Sequence, residues 1–506
     1  MTAKTLMIQG TASGAGKSIV VAALCRIFKQ DGFRVAPFKS QNMALNSFVT
    51  SQGEEMGRAQ VVQAEAAGLE PAVDMNPILL KPEANARCQV VVSGKPTKTV
   101  TAGNYGPYAE TLIPIVEGSL NRLRSSYDIV VIEGAGSPAE INITEHEIVN
   151  MRIARLAEAP VLLVGDIDKG GVFASLVGTL TLLNEADRDY VKGFIINKFR
   201  GEVALLQPGL DQLEKYTSRS VVGVIPYYHH ILIPEEDSIQ QVDWTKRDTG
   251  GETVNIAVIR LPRLSNSNDF EPLQQETGVK VKYVNTSAEL GNPDVIIVPG
   301  TKSTTADLAY LKQSGLAKSI VNQAKNGTPV IGICGGFQML GKEIKDPHNV
   351  ESDENTVTGL GLLDTITVFH TEKTNCQVKA RITSNYGFLE GLLGEEVTGY
   401  EIHMGQTTGN DSRPLFSVGT GNKEKNDHID GAMTADGLVF GTYLHGLFDN
   451  DNFRHAFITR LRKKKGLSAA PGTPVADRQE QYNALADLVR QNLDMELIYR
   501  ICGLDT

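Results

Sequence analysis

Between Thr328 and Gly341 the chain reads TPVIGICGGFQMLG, and this stretch leaves the backbone few choices. Val330, Ile331 and Ile333 form a short apolar run, and Cys334 follows at once. Phe337, Met339 and Leu340 then begin a helix-like pattern. Gly332, Gly335 and Gly336 flank the cysteine. A strand, a sharp glycine-lined turn and a helix therefore present one thiol at the turn, which is the logic of a nucleophile elbow. The dipole of the following helix favours the thiolate, whose pKa at such positions falls into the range of roughly 3.5–7.5. A cysteine that only packs a core needs no bare backbone on both sides. The glycines imply that another group approaches Cys334 closely.

The length of 506 residues allows two or three domain-sized units. A net charge of −10 disfavours nucleic acid as a partner. The five cysteines, Cys25, Cys88, Cys334, Cys376 and Cys502, are scattered and lack metal spacing, so neither a disulfide framework nor a zinc site is expected. That pattern suits a reducing cytoplasm. No apolar run approaches the ~18 residues of a membrane span, so no membrane partner is expected. The stretch Met1–Gln9 lacks the features of a signal peptide.

A second motif stands near the start. The apolar strand Thr5–Gln9 runs into Gly10-Thr-Ala-Ser-Gly-Ala-Gly-Lys-Ser18, and a helix follows with Val20, Leu24, Ile27 and Phe28 at helical spacing. Strand, glycine-rich loop and helix in that order mark a phosphate-binding loop. The backbone around Thr11, Gly14 and Gly16 would cradle anionic oxygens, Lys17 would reach the β- and γ-phosphates, and Ser18 would hold Mg²⁺. Gly10 lies one residue further from Gly16 than in the common motif. Further apolar strands end in polar clusters: Phe33–Phe38 before Ser40, Gln41 and Asn42, Asp128–Ile132 before Glu133, Pro160–Gly165 before Asp166, and Gly193–Ile196 before Asn197. In an open α/β sheet ligands bind at that edge. Glu133 fits a second Mg²⁺ contact, and Glu55 is a further candidate. Strands alternating with helices imply a doubly wound parallel sheet over residues 1–234.

Residues 235–254 carry charges, Gly250-Gly251 and Trp244 without periodicity, and are expected to be a linker. A new α/β unit is expected over 255–460, with a helical extension over 461–506. Thr365–Phe369 and Gln377–Thr383 read as antiparallel strands, and 474–501 as a helix. Gly300, at the end of the strand Asp294–Val298, and Gly335 are placed to offer backbone N–H groups as an oxyanion hole. Leu438–Tyr443 delivers His445, the favoured partner of Cys334, with His370 and His403 competing.

Gly332-x-Cys334-x-Gly336-x-Gln338 resembles the elbow of class I glutamine amidotransferases. The resemblance implies that Cys334 attacks the side-chain amide of L-glutamine and releases ammonia, with Gln338 in the glutamine site. The long N-terminal loop resembles the dethiobiotin synthetase-like branch of P-loop proteins, in which an Asn at the place of Asn197 touches adenine. Ala12 stands where partition ATPases carry a signature lysine. The two halves together, with FKSQNMALNS, GEEMGRAQ, GDIDKGGVFAS, GYEIHMG and YLHGLF, resemble the cobyric acid synthase family over essentially the whole length.

That resemblance implies ATP- and glutamine-dependent amidation of the b, d, e and g carboxylates of adenosylcobyrinic acid a,c-diamide, a corrinoid, through acyl phosphates. The acceptor is expected near Ser40–Asn46 and Asp166–Gly171. Cobyrinic acid a,c-diamide synthase has the same layout but usually carries a Gly-Pro-Asp-Tyr-type stretch in place of Ser40-Gln-Asn42. A non-catalytic P-loop switch with an amidotransferase-like domain is the reading from another class, and glutaminase activity would exclude it. Most class I amidotransferases carry Glu two residues after the histidine, where this chain has Leu447. A Cys334–His445 dyad is one consequence, and whether Glu401 or another group orients His445 stays open at the level of sequence.

Overall fold

The computed structural model describes residues 2–83, 86–143, 146–228, 231, 233, 253–352, 354–409, 413–420, 428–468 and 476–504. All but the last two residues of the expected linker 235–254 lie outside them. Six parallel strands build the N-terminal sheet: β1 (Lys4–Gly10), β2 (Val35–Phe38), β3 (Ile129–Glu133), β4 (Val161–Asp166), β5 (Val191–Phe199) and β6 (Ser220–Pro226). Their order is β6–β5–β4–β1–β3–β2. Every residue of β3 is buried, as a strand covered on both faces requires. Helix α1 (Lys17–Gln30) starts directly from the glycine-rich loop. Helix α2 (Arg58–Ala67) follows a short strand, Glu55–Gly57. Between β2 and β3 a smaller sheet of Ile78–Pro82, Arg87–Val92 and Lys95–Thr101 takes Gln41–Met43 onto its edge.

The C-terminal half repeats the plan with β7 (Val254–Ile259), β8 (Val279–Val284), β9 (Val295–Val298) and β10 (Val330–Ile333). Helices α3 (Thr304–Gln313) and α4 (Gly335–Leu340) follow β9 and β10. The two antiparallel strands expected within 365–383 form a single strand, β11 (Thr365–Ile382), paired antiparallel with β12 (Glu396–Gly409). Residues 370–376, HTEKTNC, contain neither Gly nor Pro to make a turn, and an irregularity between Phe369 and Thr374 absorbs the mismatch. Strand β13 (Val439–Thr442) lies beside β10 in the sheet order β8–β7–β9–β10–β13 and brings His445 to the edge that carries Cys334.

The C-terminal helices divide between the halves. Helix α5 (Asp451–Lys464) buries Phe453 and Phe457 in the C-terminal core. The single helix expected over 474–501 is two, α6 (Arg478–Asn492) and α7 (Met495–Cys502), separated where the Asp494 side chain caps α7 by accepting from Leu497 N–H. Both pack on the N-terminal half, where Tyr482, Leu485 and Ile498 join the α1 core and Arg26 donates to Asn483 at 2.8 Å. The chain thus closes on its own beginning. Among the described residues no helix is long and apolar enough to cross a membrane.

Candidate active site

Cys334 sits between β10 and α4 with φ +50° and ψ −109°, a strained backbone for a residue with a side chain. The flanking glycines explain how it is held. A Cβ on Gly336 would overlap the Val298 carbonyl, and one on Gly332 would stand 2.7 Å from the Phe337 nitrogen. The turn is pressed between β9 and its own helix, and only bare backbone fits. The thiol points at the Ile402 carbonyl 3.7 Å away. Gly335 lies against the backbone nitrogen of Thr301, and Gly300 against the ring of His445, so the two expected oxyanion donors flank one pocket. Gln338 is buried there, accepting from Thr304 Oγ1 at 2.9 Å and donating to the Tyr443 hydroxyl at 3.2 Å.

His445 is the histidine in this pocket that an acid orients. Its Nδ1 is 2.7 Å from Asp269 Oδ2, and Asp269 Oδ1 accepts from Gly446 N–H at 3.0 Å. Burial would lower the imidazole pKa, but Asp269 and the Cys334 sulfur beside it overcome this and lift it to about 10. Nδ1 is committed to Asp269, which leaves Nε2 for the thiol. Glu401 plays no part here, since it is buried against His428, 3.1 Å, and Cys376. Leu447 is packed in the apolar core. Of the rival histidines, His370 is exposed, and His403 stacks on Tyr443 with its pKa lowered to about 4 by burial. Asp269 was not singled out from the sequence. The signal available was its place in the polar run Ser265–Asp269, in the loop that follows β7 on the edge that carries Cys334.

At the N-terminal loop, Ser18 Oγ donates to Glu133 Oε1 at 2.8 Å. Lys17 Nζ spans the loop to the Ala12 and Gly136 carbonyls at 3.0 and 3.1 Å. Thr11 N–H donates to the Val164 carbonyl, and Gly14 and Gly16 take positive φ values of 72° and 98°. Glu133 is also held by Lys39 Nζ at 2.9 Å and Gln63 Nε2 at 2.5 Å. Burial would raise its pKa, but Lys39 above all keeps the carboxylate ionised. Ser18 and Glu133 offer hard oxygen donors side by side, a set that suits Mg²⁺ shared with phosphates. Asn197 supports the loop from behind, its Nδ2 donating to Ala15 O at 2.9 Å. Lys198 Nζ adds a contact to the Gly14 carbonyl at 2.8 Å. Lys39, Gln63 and Lys198 were not anticipated as site residues.

Two expectations are corrected. Glu55 is not with Ser18 and Glu133. It is buried between Lys81 and Lys373, 2.5 Å from each, because its strand faces the C-terminal half. These two lysines hold its carboxyl well below the usual range despite burial. The tentative acceptor residues are not one cluster. Ser40 and Asn42 are about 1% exposed and spend their side chains internally, on Ile148 O and Gln60 Oε1. Gln41 is half-buried and accepts from Tyr105. Asp166 pairs with Lys198 at 3.2 Å, on β4, three strand spacings from β2, or roughly 14 Å.

The two sites are joined by their loops. Asn46 Oδ1 accepts from Ser267 N–H and Asn266 Oδ1 from Ser47 N–H, both at 3.0 Å. Lys302 of the C-terminal half pairs with Glu83 of the N-terminal half at 2.8 Å.

A glycine-flanked cysteine with a buried histidine, set against a P-loop half, defines an ATP-dependent amide ligase that hydrolyses glutamine. The family comparisons agree: residues 255–453 match the CobB/CobQ-like glutamine amidotransferase domain, and residues 6–238 the CobQ/CobB/MinD/ParA nucleotide binding domain. The cobyric acid synthase of Dehalococcoides mccartyi strain CBDB1 is 54% identical over 499 residues, covering 99% of both chains. That of Sorangium cellulosum is 51% identical over the whole of both chains, and that of Moorella thermoacetica 50% identical over 99% of this chain and 98% of its own. The chain belongs to the cobyric acid synthase family.

Proposed function

We propose that the protein amidates the b, d, e and g carboxylates of adenosylcobyrinic acid a,c-diamide, using glutamine and ATP with Mg²⁺ in the cytoplasm. The work divides between a synthetase unit, 1–234, and an amidotransferase unit, 255–460. The observation that carries this is the pairing in one chain of the Cys334–His445–Asp269 array with the Lys17–Ser18–Glu133 loop.

In the C-terminal pocket His445 takes the thiol proton and the sulfur attacks the amide carbon of glutamine. The N–H groups of Gly300 and Gly335 bind the oxygen that becomes negative, and Gln338 lines the pocket. His445 returns the proton to the leaving nitrogen, ammonia departs, and water resolves the thioester to glutamate. A free carboxylate does not react with ammonia, because its oxygen is a poor leaving group. In the N-terminal site the substrate carboxylate attacks the γ-phosphorus of ATP and ADP leaves. Lys17 and Lys39 neutralise charge on the transferred group, and Ser18 and Glu133 would hold Mg²⁺, which would supply further positive charge there. Ammonia then adds to the acyl carbon, phosphate departs, and the amide remains.

The amide count tests the proposal. Purified protein with glutamine, ATP and Mg²⁺ is expected to lower the mass of adenosylcobyrinic acid a,c-diamide in four successive steps of about one unit. Two steps on unamidated cobyrinic acid, with none on the diamide, would reject it.

A further inference from the structure

The pocket over Cys334 carries more charge than the chemistry at sulfur uses. Its wall includes Lys302, Lys373 and Glu351 beside Cys334 and His445. Lys302 follows Gly300 and Thr301 and is anchored on Glu83 at 2.8 Å. Lys373 comes from the irregular middle of β11 and is anchored on Glu55 at 2.5 Å. An ammonium group has three donors, so one anchoring carboxylate fixes its position and leaves donors for a ligand. Glu351 differs from both. Among the described residues its carboxylate rests on the backbone at the start of α3, with Thr304 N–H 2.7 Å away, and makes no ion pair. Burial raises its carboxyl to about 7, and Lys302 offsets only part of that rise. Taking on a positively charged ligand group would favour its ionised form.

We propose that this wall is an α-amino-acid clamp, in which Lys302 and Lys373 bind the α-carboxylate of glutamine and Glu351 its α-ammonium. The proposal rests on Cys334 being the glutamine nucleophile. A zwitterion leaving water loses the hydration of two opposite charges, and a pocket that accepts it must replace both. The cations and the acid line the same pocket as the nucleophile and so can fix the far end of the substrate while its amide meets the sulfur. The two anchors, Glu83 and Glu55, belong to the N-terminal half, so that half completes the glutamine pocket.

The test is a crossed comparison of amide hydrolysis. Glutamine is measured beside 4-carbamoylbutanoate, which lacks the ammonium, and 4-aminobutanamide, which lacks the carboxylate. In the unaltered protein each truncated amide is expected to lose about 10- to 100-fold in kcat/KM, the scale of a lost hydrogen bond to a charged group. Glu351→Gln should bring glutamine down to the level of 4-carbamoylbutanoate through KM, with little further change in 4-carbamoylbutanoate itself. Lys302→Met or Lys373→Met should instead bring glutamine toward 4-aminobutanamide. Equal losses on glutamine and 4-carbamoylbutanoate in Glu351→Gln would overturn the clamp, as would an unaltered protein that hydrolyses all three amides alike. If the unaltered protein hydrolyses glutamine no better than Cys334→Ala does, the nucleophile assignment fails first, and the clamp with it.

Discussion

Replacing Asp269 with asparagine tests the array at its least anticipated member. The side chains are nearly isosteric, so Gly446 N–H can keep a carbonyl partner where Asp269 Oδ1 now stands, 3.0 Å away. The amide NH₂ then faces His445 Nδ1, where Asp269 Oδ2 stands at 2.7 Å. Two donors cannot share that contact, so Nδ1 must become an acceptor and the ring proton moves to Nε2. A ring in that tautomer cannot take the Cys334 proton. Loss of the charge-assisted bond alone is worth about 1.5–3 kcal/mol, roughly 10- to 150-fold. Reversal of the tautomer extends the expected loss in glutaminase kcat toward ~10⁴-fold.

The charge effect has a sign that can be read separately. His445 in the folded protein titrates near 10, above its unfolded value of 6.5, so its pairing contributes stability that is complete below pH 6.5 and lost as pH rises through 10. The stability difference between the unaltered protein and Asp269→Asn should therefore shrink between pH 7 and 10. Ammonia release from glutamine, measured beside amidation supported by ammonium salts, separates the site from the fold. A variant that keeps full glutaminase activity would refute the orientation argument.

Cys334→Ala should abolish glutamine-supported amidation and retain amidation with high ammonium, measured by mass spectrometry of the product. Ser18→Ala and Glu133→Gln should lose ATP hydrolysis by ~10²-fold or more while glutamine pocket chemistry persists, since they alter charge neutralisation of the transferred phosphoryl group. Gly336→Ala forces a Cβ against the Val298 carbonyl and should destabilise the C-terminal half by about 1–3 kcal/mol, visible as a lowered thermal midpoint.

What the sequence made legible were the features in which neighbours in sequence are neighbours in space. The elbow around Cys334 and the loop before α1 are local, and their glycines encode close approach directly. The buried strands are apolar runs, and β3 is uniformly buried as its DIVVI run suggests. Long-range partners were not legible. Asp269 lies 176 positions from His445, and its place in the polar run Ser265–Asp269 marks the loop but not its partner. Nothing in the sequence around Glu55 shows that its side chain turns away from the Mg²⁺ candidates Ser18 and Glu133. The strand Glu55–Gly57 turns that side chain toward Lys373, 318 positions away. The break expected within β11 falls on HTEKTNC, a polar stretch that contains neither Gly nor Pro.

The stretch from Lys39 to Ser47 limits how far apart the two chemistries can lie. Lys39 holds Glu133 at 2.9 Å, and Ser47 N–H holds Asn266, whose amide lies 3.4 Å from His445 Nε2. Eight peptide steps span at most about 28 Å when fully extended. Backbone alone therefore keeps the two anchoring points within that distance, whatever path ammonia takes. The reciprocal pair formed by Asn46 and Asn266 fastens the same segment to the loop that carries Asp269. Any displacement of Lys39 by a phosphate at Glu133 must be absorbed inside this short segment or passed to Asn266. A chain that only tethered two independent enzymes would have no use for the buried amide pair, and a flexible linker would suffice. The buried contacts instead make the position of His445 depend on a segment whose other end, Lys39, holds Glu133 beside Ser18.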